Sequence, residues 1–96
     1  MAVKHKQEVE QNAMRVVQWL ANNEVEFEQQ GILEDRVAAA LGLADLEAKE
    51  AVDHLENRED VVRTPKALTT PPQFLVKPGR GWPAIRDKAL GQRSGG

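Results

Sequence analysis

Cysteine is absent from this chain of 96 residues, which excludes disulfides, zinc–thiolate sites and thiol catalysis. Histidine occurs only at His5 and His54, and neither has a second ligand at metal spacing, so no metal or cofactor is expected. No uncharged stretch approaches the roughly 20 apolar residues that span a bilayer. The opening MAVKHKQEVE has no apolar signal region, so the expectation is a soluble, cytoplasmic protein with no membrane partner. Alanines 38–40, 48 and 51 suit close helix packing and leave little room for a deep substrate pocket. The carboxylate pairs available for acid–base work, Glu24, Glu26 and Glu28 or Asp45 and Glu47, are expected on solvent faces. The basic Lys77-Pro78-Gly79-Arg80-Gly81 lacks the strand–glycine loop–helix order of a phosphate cradle. No site for an enzyme is visible.

Charge is scarce in sum but not in distribution. The formal net charge is −2. Residues 1–60 carry six Lys or Arg against fourteen Asp or Glu, whereas residues 61–96 carry seven against Asp87 alone. Two ends of opposite sign either meet different partners or neutralise one another across the fold.

The periodicity of the chain predicts a helix over residues 4–21, with Val9, Ala13, Val16, Val17 and Leu20 inward and Trp19 at the core edge. Asn22 and Asn23 end it. Glu24-Val25-Glu26-Phe27-Glu28 alternates strictly and predicts a short strand with Val25 and Phe27 facing in. Leu33, Val37 and Leu41 mark a second helix, and Ala48, Val52 and Leu55 a third that ends near Asn57. Between them Gly42 is suited to the positive φ that ends a helix, Leu43 drops back into the core, and Asp45 is suited to capping the next helix. Val61 to Thr64 and Gln73 to Val76 read as two strands joined by a loop through Pro65, Thr69, Thr70, Pro71 and Pro72. Pro83 and Gly91 bracket a last short helix over 83–90, docked through Trp82, Ile85 and Ala89. One domain is expected over residues 1–91, with 92–96 a disordered tail; its Gly95-Gly96 resembles the end of ubiquitin-like modifiers, whose β-grasp fold a helix-rich chain does not match.

Two helices around a Gly-containing turn, preceded by a helix and followed by a strand pair, resemble the winged helix-turn-helix superfamily over about residues 8–77. The features that carry this are Val37 to Leu43, then Ala48, Val52 and Leu55, then Val61-Val62-Arg63. The resemblance implies an α+β fold: a three-helix core, a β-hairpin wing and a short C-terminal helix. It also implies a DNA partner, with the third helix in the major groove and the wing on the backbone. Phosphates would then be held by Arg63, Lys66 and Lys77, and a basic strip continues through Arg80, Arg86 and Lys88.

The outward positions of that third helix are unusual for reading bases. Leu46, Glu47, Lys49, Glu50, Asp53 and His54, together with Asp45, offer four carboxylates and one lysine. Base edges are read mostly by Arg, Lys, Asn and Gln. Two readings therefore stand. One is a non-enzymatic, DNA-associated transcription regulator or accessory factor that contacts phosphates through its basic wing and C-terminal segment. The other is a protein-interaction module whose acidic third helix docks a basic protein partner or a second copy of the chain, giving a homodimer.

Overall fold

A computed structural model describes residues 2–66 and 72–94. The chain runs α1 (Ala2–Asn22), α2 (Glu24–Gln30), β1 (Ile32–Leu33), α3 (Glu34–Leu41), α4 (Asp45–Asn57), β2 (Val61–Pro65), β3 (Phe74–Pro78) and α5 (Trp82–Ser94). The fold is the α+β winged helix expected, with one helix more than the sequence suggested.

α1 buries Ala13, Val16, Val17 and Leu20; Val9, at the start of that stripe, is only half-buried. Against this face pack Val37 of α3, Ala51, Val52 and Leu55 of α4, Val61 and Val76 of the sheet, and Trp82, Ile85 and Ala89 of α5. Each fully buried large apolar side chain contributes about 1.5–3 kcal/mol. Trp19 sits at the core edge as expected, with the Arg36 guanidinium 5.6 Å from its ring centre.

The turn between α3 and α4 follows the sequence closely. Gly42 takes a left-handed φ of 66°, and the Leu43 N–H donates to the Ala38 carbonyl at 2.9 Å, so the helix closes with a Schellman-type bond. Leu43 packs back against the core. The cap is not Asp45, however. Ala44 is the N-cap residue, and its N–H donates to Glu47 Oε1 at 2.9 Å, leaving Asp45 exposed in the first turn.

The alternating segment at residues 24–28 is a helix and not a strand. Glu and Gln are good helix formers, and Glu24 and Glu26 stand beside the unpaired N–H groups of the first turn, where negative charge is favoured. At about 3.6 residues per turn, positions two apart lie on opposite sides. Phe27 is therefore fully buried while Val25 is 72% exposed. Phe27 meets the Trp82 ring edge-on, with centroids 4.7 Å apart, a favoured aromatic geometry. The extra strand falls just after α2, at β1.

The sheet has the order β1-β3-β2, antiparallel throughout. Ile32 and Arg63 both lie opposite Val76, Leu33 and Thr64 opposite Leu75, and Val62 opposite Lys77. Directly opposed residues share a face and alternate residues change face. Val61, Arg63, Val76, Ile32 and Phe74 therefore point toward the helices, and Val62, Thr64, Leu75, Lys77 and Leu33 point away. The wing loop expected through residues 69–71 lies outside the described residues.

α5 starts one residue earlier and ends four later than the helix expected over 83–90. It runs through Gly91, where nothing would obstruct a side chain, so that glycine does not end it. Residues 92–94, expected to be disordered, are its last turn, and Gly95-Gly96 lie outside the described residues.

Candidate nucleic-acid interface

β2 carries Arg63 on the inward side of the sheet, and its surroundings follow from that parity. The side chain is 13% exposed. Its Nε donates to Glu34 Oε1 at 2.6 Å, where α3 begins. Nη1 donates to Asp53 and, at 3.2 Å, to Glu56 Oε1, both on α4. Nη2 donates to the Lys49 carbonyl at 3.0 Å. One guanidinium thus ties the wing to both helices of the helix-turn-helix. Burial alone would raise the Asp53 carboxyl, but hydrogen bonds from Arg63 and Lys49 outweigh it and hold it below its ordinary value. Burial likewise opposes the charge on Arg63, and its bonds to Asp53 and Glu34 more than compensate. Arg63, expected to hold a phosphate, is bonded here to Glu34, Asp53, Glu56 and the Lys49 carbonyl, as an internal clamp.

Two more of the expected strip are also engaged. Arg80 makes a bidentate contact with the Glu59 carboxylate, at 2.6 and 2.9 Å from Nη2. Arg86 Nη1 donates to Glu24 Oε2 at 2.8 Å, and Trp82 Nε1 reaches the same oxygen at 3.3 Å. The bond from Arg86, opposed by burial and helped by Trp82, holds the Glu24 carboxyl low. Arg86 sits on α5 facing α2, and Lys88 borders a crevice with Glu10, His54 and Arg58 between α1, α4 and α5. Neither is part of the wing.

What remains on the wing is Lys66 and Lys77, which make no ion pair among the described residues. Lys66 is exposed and continues the outward alternation of β2. The stem of Lys77 lies over Gly31, whose missing side chain leaves room for it: a Cβ there would fall 2.8 Å from Lys77 Cγ. Lys66, Leu75 and Leu33 line a groove of about 320 Å³ together with Gln30 and Glu26 of α2 and Arg36 of α3. Arg36, which sequence reasoning did not single out, thereby joins the wing lysines. Its signal was faint, one cation two residues after an acidic helix start. It is paired with Glu26.

Of the outward face expected on α4, the first turns are exposed, whereas Glu50, Asp53 and His54 are half-buried. Leu46 is 65% exposed, and Asp45, Glu47 and Lys49 are exposed around it. Lys49 Nζ lies 3.1 Å from Asp53 Oδ2, one turn on, so the only lysine of this helix is held by its own carboxylate. Glu50 Oε2 bonds His5 Nε2 at 2.8 Å, joining α1 to α4. A second groove, of about 460 Å³ between α3, α4 and the wing, is lined by Glu34, Asp35, Lys49, Glu56, Arg63 and Phe74, among others. Its cations are already paired, Arg63 with Glu34 and Glu56 of its lining and Lys49 with Asp53 beside it, and among the described residues no nucleophile with an adjacent base stands in it. Among the described residues no cluster could hold a metal ion, and no helix is long and apolar enough to cross a membrane.

This arrangement of helices, Gly turn and wing is that of a winged helix-turn-helix. No protein-family model matches the sequence, and no curated protein matches it. Solved structures do. A point mutant of Staphylococcus aureus MepR bound to an oligodeoxyribonucleotide superposes with a TM-score of 0.67 at 14% identity, over 97% of this chain and 70% of that one. The transcriptional regulator Tm0710 from Thermotoga maritima gives 0.63 at 16% identity, over 98% and 61%. CouR from Rhodococcus jostii, bound to p-coumaroyl-CoA, gives 0.61 at 25% identity, over 88% and 60%. The chain spans 60–70% of the length of these three proteins. The likeness establishes the winged-helix fold.

Proposed function

We propose that this chain is a non-enzymatic, DNA-associated module, a transcription regulator or accessory factor, that grips the phosphate backbone with its wing. The observation that carries this is the contrast within one fold. Lys66 and Lys77 stand outward on the wing without an internal ion pair among the described residues, while Arg63 is spent on the clamp. The likeness to MepR bound to an oligodeoxyribonucleotide supports the partner class. The face of α4 argues against base reading. Asp45, Glu47, Glu50 and Asp53 would meet a polyanion, and electrostatic attraction supplies essentially all sequence-independent affinity.

Fluorescence anisotropy with a labelled mixed-sequence duplex tests this. Two neutralised phosphates give a log–log salt slope of roughly −2. Lys66→Ala with Lys77→Ala is expected to flatten the slope toward zero and weaken binding by about tenfold or more. No binding at low salt, or binding indifferent to both substitutions, refutes the reading.

A second reading, docking of a basic protein on α4, is favoured by the exposure of Leu46 among carboxylates. It predicts that neutralising Glu47 and Glu50 to Gln weakens capture of a basic partner, whereas against DNA the same change strengthens binding.

A further inference from the structure

The outward face of the wing and the first turn of α4 are complementary surfaces on the same chain. One side of the sheet is packed by helices, and the other, bearing Leu33, Leu75 and Val62, has no layer on it among the described residues. Val62 is 41% exposed. A helix laid on such a face completes the layered packing that sheets with an apolar side adopt. The groove beside it has apolar walls in Leu33 and Leu75, and its rim carries Lys66 and the Arg36–Glu26 ion pair, with Lys77 next along β3. The exposed corner of α4 has the inverse pattern, an apolar knob at Leu46 between the carboxylates of Asp45 and Glu47. Those two carboxylates make no ion pair among the described residues.

We propose that the chain self-associates by seating Leu46 of one copy in the groove between the wing and α2–α3 of another, with Asp45 and Glu47 set against Lys66 and Lys77. The occupant is a second copy because charge and apolar pattern match on both sides at once. The contact joins two different surfaces, so it is heterologous and propagates head to tail unless the rotation closes. It does not depend on DNA binding, although it covers the two lysines assigned to phosphate.

Sedimentation velocity on the full chain, at ~0.05 and ~0.5 M salt, reads the association, since the shorter Debye length screens the rim charges. The mass is expected to rise with concentration above the 10.7 kDa monomer at low salt and to fall back at high salt. Leu46→Asp removes the knob, and Lys66→Glu with Lys77→Glu removes the rim. Each is expected to weaken association on the order of tenfold to a hundredfold. All of these positions are solvent-facing or half-buried, and far-ultraviolet circular dichroism is the check that both variants fold. Mixed together, the two variants should form a one-to-one dimer and nothing larger, because each supplies the face the other lacks. Leu46→Ser, which removes the knob without adding a carboxylate to α4, should keep any DNA affinity of the wing, so failure of this contact and failure of DNA binding read out separately. The proposal is overturned if the wild-type chain is monomeric at low salt, if either variant associates as the wild type does, or if the mixture stays monomeric.

Discussion

Replacing Arg63 by Ala is the sharpest probe of how this fold is held together. The guanidinium is 13% exposed, and its carboxylate partners Glu34, Asp53 and Glu56 are 18, 37 and 41% exposed. Removing one member of a fully buried pair costs about 3–5 kcal/mol, because the other charge is left without a partner. Here the three carboxylates regain water on truncation, so the expected loss is smaller, roughly 2–3 kcal/mol. A domain of this size has a total stability of only about 5–15 kcal/mol, and such a loss lowers Tm by roughly 10–20 °C. Arg63→Lys should recover little, since an ammonium cannot reproduce the planar fork that spans α3, α4 and the Lys49 carbonyl. Urea denaturation followed by circular dichroism measures the loss. Arg80→Ala is the control: its pair with Glu59 is 80 and 59% exposed, and it should cost less than about 1 kcal/mol. Equal effects of the two substitutions would refute the clamp. So would a fall of about one unit in the DNA salt slope on Arg63→Ala, which is the mark of a phosphate contact.

Three further outcomes are expected. Gly79→Ala should destabilise by roughly 2–4 kcal/mol in the same denaturation assay, because a Cβ there would stand 2.3 Å from the Glu59 carbonyl oxygen. Glu59→Gly should stabilise by about 0.5–1 kcal/mol, since Glu59 holds a left-handed φ of 65° that costs a side chain more than glycine and its lost pair is exposed. Acid should act through Asp53 and Glu24, whose folded pKa values lie below the ordinary 3.8 and 4.5. Their stabilisation is present above those ordinary values and drains as pH falls through the lowered ones. Asp53→Asn should therefore flatten the acid limb of a stability–pH curve below about pH 4, and an unchanged limb would count against the Arg63–Asp53 coupling.

The sequence made most of this fold legible because apolar spacing is a local property that survives into the core. The stripes of α1, α3 and α4, the turn at Gly42 and the docking of Trp82, Ile85 and Ala89 all rest on that spacing. Residues 24–28 mimic a strand because five residues of alternating charge satisfy period two while their composition favours a helix, and only Phe27 among them is buried. The charge split was visible too, but which charges cancel depends on the tertiary pairing. Arg63, Arg80 and Arg86 from the basic end meet Glu34, Asp53, Glu56, Glu59 and Glu24 from the acidic end, so much of the asymmetry is neutralised across the fold.

For Arg63 the signal was nevertheless present. It stands two residues after Val61, and in a strand residues two apart share a face, so a buried Val61 already turns Arg63 toward the helices. Reading the strand by parity before reading it by charge turns Arg63 toward the helices and leaves Lys66 and Lys77 on the outer face. The same parity places both lysines on the open side of the sheet with Leu75 and Val62. The wing's available cations and its uncovered apolar surface are therefore one face. Whatever binds there, a phosphate backbone or the acidic corner of a second copy, competes for the same two ammonium groups. That competition follows from the register of β2 and β3 alone, and duplex DNA added to the self-associated chain should dissociate it if both contacts exist.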